Sequence, residues 1–223
     1  MKIATWNLQR LDKNKTGTIL EKLSEIDADI FVLTETNTCI RLDNYNSIST
    51  IVLPTRYDGI NYKAGEVRVS ILSKFDAVSR HKTFDEYTAV NVDLETPLGL
   101  LSVYGTIIGV FGHRQPRFDL DLAGQINDLE KMQYDNNICL TGDFNTMFGE
   151  YVYPSDKARK TLIKAFENFG LSNLTAAVTN NVDHILLSHQ YLKNKCVENV
   201  EIWNEDKKLS DHIGIALTVS NLL

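Results

Sequence analysis

Five short polar motifs stand at the ends of apolar, strand-like stretches, and their residue types can hold a metal ion and handle protons. Ile3-Ala-Thr-Trp-Asn7 ends in an amide, Ile30-Phe-Val-Leu-Thr-Glu35 in an acid, and Ile138-Cys-Leu-Thr-Gly-Asp-Phe-Asn145 in Asp143 and Asn145. Two further stretches begin with such residues, Asp183-His-Ile-Leu-Leu187 and Ser210-Asp-His-Ile213. Singly, each has an ordinary reading. Asn, Asp and Gly after a strand are common turn residues, because they bond locally and tolerate unusual dihedrals. Asn7 alone reads as a strand-end cap, Glu35 as a solvated loop acid, and His212 as a satisfied core or surface histidine. Jointly the reading changes. Glu35, Asp143, Asp183 and Asp211 are four acids abutting apolar strands, and their convergence without a partner would be strongly repulsive, so a cation is the natural occupant. Carboxylate and amide oxygens suit a hard ion such as Mg²⁺ or Mn²⁺ rather than zinc.

The elements that must position these groups are mostly strands. Residues 2–7, 29–34, 47–53, 67–72, 89–94, 100–106, 137–141, 182–187 and 213–219 are short and rich in Ile, Val, Leu or Thr. Some alternate apolar with polar, as antiparallel or edge strands do. Helical spacing appears over residues 18–26, where Ile19, Leu20, Leu23 and Ile26 form one stripe. Leu122, Ile126 and Leu129 mark a second helix, with Asp119 and Asp121 near its positive end. Ser155 and Asp156 open a third, carrying Leu162, Phe166 and Phe169, and Gly170 supplies its stop. If the last two motif strands run antiparallel to the first three, all five motifs share one edge, where loops on a rigid scaffold form ligand sites. With no repeat or linker, the inventory predicts one α/β domain over residues 1–223, built of two packed mixed sheets with helices outside.

Composition narrows the classes. The chain has 223 residues and 43% hydrophobic content, enough for an extended core. No apolar run approaches the roughly 18 residues that a membrane-spanning helix needs, and the polar Trp6-Asn7 pair falls where a signal peptide keeps its apolar stretch. The expectation is an intracellular, cytoplasmic protein without a membrane span. Cys39, Cys139 and Cys196 are isolated, which suggests neither a disulfide framework nor a thiolate zinc site. The net charge of −6, with no basic run, counts against a large electrostatic footprint for nucleic acid. A bound metal would add local positive charge that residue counting misses.

In order along the chain, Thr5-Trp-Asn7, Leu33-Thr-Glu35, Val103-Tyr104, Thr141-Gly-Asp-Phe-Asn145, Val182-Asp-His184 and Leu209-Ser-Asp-His212 resemble the endonuclease/exonuclease/phosphatase (DNase-I-like) superfamily. The Gly-Asp-Phe-Asn and Ser-Asp-His motifs are the most specific of these. The resemblance implies a four-layered α/β sandwich and Mg²⁺-dependent cleavage of a P–O bond by activated water. It implies that Glu35 is the main metal ligand with Asn7 beside it, and that Asp211 helps hold the metal or its waters. Asp143 would position and deprotonate the attacking water, and Asn145 would hold that water or the phosphate. His212 would hydrogen-bond a phosphate oxygen or serve as base, oriented by Asp183, and the Tyr104 hydroxyl would reach the phosphate.

Three positions depart from the family's habits. Tyr104 is followed by Gly105 and Thr106 where proline and often asparagine are common, Gln9 stands where some nucleases carry an acid, and Thr34 precedes Glu35. The expected substrate is a phosphoester, with nucleic acid one candidate and no protein partner predicted. A phosphodiesterase or nuclease is the first reading. A phosphomonoesterase of the inositol-phosphatase type and a non-catalytic binding module on the same fold are the alternatives. In the loop 113–117, Arg114 and Arg117 are candidate grips for a substrate phosphate, since guanidinium matches it bidentately; the competing reading pairs them with Asp119 or Asp121.

Overall fold

The structure, a computed structural model, describes residues 1–57, 59–109, 116–132, 137–149 and 153–222. The first half runs β1 (Lys2–Asn7), a short 3-10 turn, α1 (Thr16–Ile26), β2 (Ile30–Asn37), β3 (Asn46–Ser49), β4 (Arg56–Tyr57), β5 (Ile60–Asn61), β6 (Glu66–Ser73) and β7 (Ala77–His81). The second half runs β8 (Ala89–Thr96), β9 (Gly99–Ile107), α2 (Arg117–Lys131), β10 (Ile138–Asp143), α3 (Asp156–Asn168), β11 (Leu171–Asn173), β12 (Asp183–Ser188), α4 (His189–Leu192), β13 (Lys195–Trp203) and β14 (Gly214–Asn221).

Two six-stranded mixed sheets result, in the orders β13-β14-β1-β2-β6-β3 and β11-β12-β10-β9-β8-β7. Their facing sides bury one apolar layer that includes Ile3, Val32, Val69, Ile71, Val103, Cys139, Ile185 and Leu217. Behind the first sheet, Ile19, Leu23 and Ile26 of α1 pack on Trp6, Phe31 and Leu33. Behind the second, α2 and α3 supply Leu122, Leu129, Leu162 and Phe166 against Leu140, Phe144 and Leu186. The outcome is the helix–sheet–sheet–helix sandwich expected from the sequence. Gly105 marks a close approach of the sheets, since a Cβ there would meet Val32 and Val69 side chains at 3.0 Å. That contact is a physical reason for a glycine after Tyr104.

Strand direction matters most for the site. β1 pairs parallel with β2, β14 pairs antiparallel with β1, and β12 pairs antiparallel with β10. The ends of β1, β2 and β10 and the starts of β12 and β14 therefore gather along one edge of the sandwich, as the sequence predicts. The expected strand 47–53 is shorter, because the Thr50 side chain takes over bonding there and its hydroxyl accepts from Arg68 and Val69 N–H. β7, β11 and β13, which the sequence does not announce, all lie at sheet edges. An edge strand pairs on one side only and tolerates polar residues; Glu198–Ile202 of β13 are exposed. Gly170, at φ +58, terminates the third helix as expected.

Candidate active site

The site begins where β1 leaves the core. Asn7 is buried, its Nδ2 donates to Asp143 Oδ2 of the other sheet at 2.9 Å, and its Oδ1 accepts the Gln9 N–H at 2.8 Å. One hydrogen bond thus ties the two sheets together at their shared edge. Ser210 Oγ donates to the Asn7 carbonyl at 2.6 Å, and Trp6 Nε1 donates to the His212 carbonyl at 3.1 Å. Asn204 Nδ2 reaches that same carbonyl at 2.6 Å and the Ser210 carbonyl at 2.8 Å. These contacts fix the Ser-Asp-His turn. Trp6, Asn204 and Ser210 were not singled out by the sequence reading, and of these only Trp6 and Ser210 lie inside its motifs.

Gly142 places Asp143. It adopts φ +136, and a Cβ built on it would lie 2.0 Å from the Thr106 carbonyl oxygen, so only glycine lets β10 end this way. Asp143 Oδ1 then accepts the Asn145 N–H at 2.8 Å. Asn145, itself left-handed at φ 45, donates Nδ2 to the Ile108 and Gly109 carbonyls at 3.0 and 2.9 Å. Burial, together with the neighbouring Asp183, pushes the Asp143 carboxyl up to about 7, against the pull of His212.

His212 donates from Nδ1 to Asp183 Oδ2 at 2.6 Å, and Asp183 Oδ1 is buried without a hydrogen-bond partner among the described residues. Burial opposes charge on the imidazole, but Asp183 foremost, then Asp143 and Asp211, outweigh it and raise its pKa to about 10. Ring and acids are thus arranged for a cationic His212 whose Nε2–H faces outward, 3.8 Å from the exposed Asp211 carboxylate. Ligand atoms of Asp143, Asp183 and His212 lie within 4.8 Å of one another, so the two buried acids share the charge of one imidazolium. Asp183 and His212 line a cleft of about 190 Å³ that is completed by Asn145, Met147, Tyr153 and Lys207 among others.

Next to Asp183, His184 has a structural task. It is fully buried, Nε2 donates to the Thr146 carbonyl at 3.1 Å, Nδ1 lies 3.2 Å from Thr175 Oγ1, and Phe148 stacks edge-on at 4.8 Å. Burial lowers its pKa from 6.5 to about 4. The folded state thus refuses a proton that the unfolded chain accepts, so the contribution is intact above pH 6.5 and is lost as pH falls toward 4. The full loss is about 3 kcal/mol. Urea unfolding at pH 7 and at pH 4 should show His184→Gln losing less stability on acidification than the wild type, by roughly that amount; equal losses would refute this account.

Glu35 lies within β2, directly after Thr34, which pairs with Asn7, and has φ 45, a left-handed backbone that costs a non-glycine residue about 1 kcal/mol or more. Its half-buried carboxylate has no hydrogen-bond or ion-pair partner among the described residues. Burial raises its pKa, as does Asp211, while His212 and Arg10 pull it down. Arg10, the nearest guanidinium in that corner, is committed elsewhere: Nε and Nη2 grip the two oxygens of buried Glu66 at 2.5 and 3.1 Å.

Two expected members stand apart. Tyr104 is fully buried in the middle of β9, opposite Leu140, on the face under α2. Its hydroxyl donates to Asp128 Oδ2 at 2.8 Å, and it lines a separate cavity of about 650 Å³. The strand runs three residues past it before reaching the level of Asp143, which pairs with Ile107, so the expected contact with the phosphate is corrected. Tyr104→Phe should cost about 1–2 kcal/mol in urea unfolding and leave kcat on a simple phosphoester unchanged; a tenfold loss of kcat would restore the catalytic reading. Arg117 likewise is not a free grip. Its Nε donates to Asp121 at 3.0 Å and its Nη2 bonds Asp85, which is the pairing alternative rather than the substrate contact. Arg114 lies outside the described residues.

A two-sheet sandwich whose strand ends gather carboxylates, amides and an Asp-paired histidine is the framework of a phosphoesterase. The chain belongs to the endonuclease/exonuclease/phosphatase family, whose profile matches residues 4–212. No curated protein matches it in sequence. Among solved structures it is similar to the endonuclease domain of TRAS1, a telomere-specific non-LTR retrotransposon, with TM-score 0.72, 17% identity, and 99% of this chain and 98% of that one covered. The 3'-5' exonuclease NExo from Neisseria meningitidis aligns with TM-score 0.69 at 16% identity, covering 98% and 99% of the two chains. The AP endonuclease LMAP from Leishmania major gives 0.70 at 14%, covering 100% and 88%. At such identities the likeness is one of fold.

Proposed function

We propose that the chain is a Mg²⁺- or Mn²⁺-dependent phosphodiesterase, nuclease-like in mechanism, with all 223 residues acting as one domain. The observation that carries this reading is Glu35, a half-buried acid without a hydrogen-bond or ion-pair partner among the described residues, set beside the Asn7–Asp143 bond and the Asp183–His212 pair. Glu35, the free lone pair of Asn7 Oδ1 and the rim acid Asp211 would hold the ion. Their all-oxygen chemistry fits a hard divalent cation. Once bound, such an ion offsets charge developing on the phosphoryl oxygens.

The remaining groups divide the other tasks. Asp143 aligns the attacking water and accepts its proton, since Asn7 and Asn145 fix both its oxygens. Asn145 steadies that carboxylate through its N–H and faces the cleft where the phosphate would lie. His212, held cationic by Asp183, donates Nε2–H to a non-bridging phosphoryl oxygen, a charge-assisted bond that strengthens as negative charge builds. Asp183 orients the ring and stabilises its proton.

The test is hydrolysis of bis-p-nitrophenyl phosphate and p-nitrophenyl phosphate with Mg²⁺, with Mn²⁺ and with EDTA. Turnover of the diester that EDTA abolishes is the expected result. Preference for the monoester would transfer the assignment to a phosphomonoesterase, and turnover that survives EDTA would remove the metal. Absence of turnover together with absence of Mn²⁺ binding would leave a binding module.

A further inference from the structure

Among the described residues, three cationic side chains act on the site's carboxylates: His212 on Glu35, Asp143 and Asp183, Arg10 on Glu35, and Lys207 on Asp183. The first is neutralised by Asp183 and the second by Glu66. Lys207 is different. Its ammonium has no ion-pair or hydrogen-bond partner among the described residues, although its neighbour Lys208 pairs with Asp206 at 2.6 Å. It lines the same cleft as Asn145, Asp183 and His212.

The turn that carries Lys207 is built rather than loose. Asn204 and Lys207 both adopt left-handed backbones, at φ 57 and 55, and Lys207 N–H donates to the Asn204 carbonyl at 2.9 Å. The Asn204 side chain accepts the Leu209 N–H at 3.0 Å and donates to the carbonyls of Ser210 and His212. Lys207 is therefore tethered to the backbone of the proposed phosphate-binding histidine. In the first sheet the order β14, β1, β2 sets His212, Asn7 and Glu35 in a row. Lys207, in the β13–β14 connection, lies at the His212 end of that row, away from Glu35.

We propose that Lys207 is a specificity-determining residue that binds a second anionic group of the substrate, a phosphate next to the scissile one on the His212 side. The inference rests on the phosphodiesterase reading above. A lone diester would meet His212 at one end of the cleft, whereas a substrate with an adjacent phosphate would also meet the ammonium of Lys207, which lies near Asp183 but is ion-paired with no described residue.

The test compares binding of thymidine 3',5'-bisphosphate with that of the two thymidine monophosphates, by calorimetry with Mn²⁺. It is run in the Asp143→Asn protein so that turnover does not intervene. The expected result is a preference for the bisphosphate of about fivefold to tenfold that shrinks with added salt. Lys207→Ala should abolish the preference, and Lys207→Arg should keep most of it. Lys208→Ala, which removes the same charge from the adjacent position, should keep it fully. No preference in the parent protein, an unchanged preference in Lys207→Ala, or an equal loss in Lys208→Ala would each overturn the assignment. A protein that hydrolyses the diester but shows no preference refutes Lys207 alone. One that shows the preference but hydrolyses nothing refutes the phosphodiesterase reading alone.

Discussion

Asp143→Asn is expected to lower kcat on a phosphodiester by about 10³-fold, within the range for loss of a general base, while leaving the fold as stable as before or more so. The two effects have one origin. The carboxylate is buried beside Asp183 and its proton affinity is raised to about 7, so its charge opposes the folded state. An amide of the same size removes that charge and retains an oxygen for one of the two donors, the Asn145 N–H at 2.8 Å or Asn7 Nδ2 at 2.9 Å. What it cannot do is accept the proton of the attacking water. Single-turnover hydrolysis and thermal melting, run side by side, check both halves. Activity above a tenth of wild type would remove Asp143 from the base role, and a large drop in Tm would show that the residue serves mainly to hold the sheets together.

Gly142→Ala is expected to cost more than about 4 kcal/mol, or to yield no folded protein. Two penalties add. The backbone sits at φ +136, where an L side chain is strained. The new methyl would also fall 2.0 Å from the Thr106 carbonyl oxygen, which belongs to the paired strand β9 and cannot swing away. Gly170→Ala provides the comparison. It too has a positive φ, of 58, but its nearest neighbour is His189 Nδ1 at 3.5 Å, so it should cost only about 1 kcal/mol. Urea unfolding of the two variants measures the difference, and near-equal costs would show that the Thr106 contact is relieved cheaply.

The strand ends carrying Asn7, Glu35, Asp143, Asp183 and His212 were readable in the sequence because polar residues interrupt apolar runs there, and an interior strand has few other reasons to stop on an acid. Their convergence followed once the strand directions were guessed. The level of Tyr104 along the sheet did not follow. β9 alternates, with Leu101, Val103 and Ile107 facing the opposite sheet and Ser102, Tyr104 and Thr106 on the other side, where Tyr104 and Thr106 bond to α2. Alternation gives the face of the ring but not its level: the register Leu140↔Tyr104, which leaves it short of the site, depends on tertiary pairing. For Arg117 the pairing alternative names Asp121, four residues on, but not its second partner Asp85, which is 32 residues away and reaches it only through the tertiary fold. Lys207 was invisible in the sequence. It lies in the run Glu205-Asp-Lys-Lys208, which reads as a solvated turn, and its place in the cleft beside Asp183 and His212 comes from the Asn204-braced turn of the fold. Edge strands such as β13 lack the apolar alternation by which interior strands are found.

The bond from Asn7 to Asp143 spans 136 residues of chain and joins one sheet to the other. Glu35 and His212 stand on the first sheet's side of it, and Asp183 stands on the second. A folding intermediate with only one sheet formed therefore carries only part of the set and is chemically inert. Hydrolytic competence should thus appear in a single late event, when the sheets close on their common core. Regain of activity during refolding would then keep pace with the slowest structural probe, which makes catalysis a reporter of complete assembly and spares the cell a half-made hydrolase.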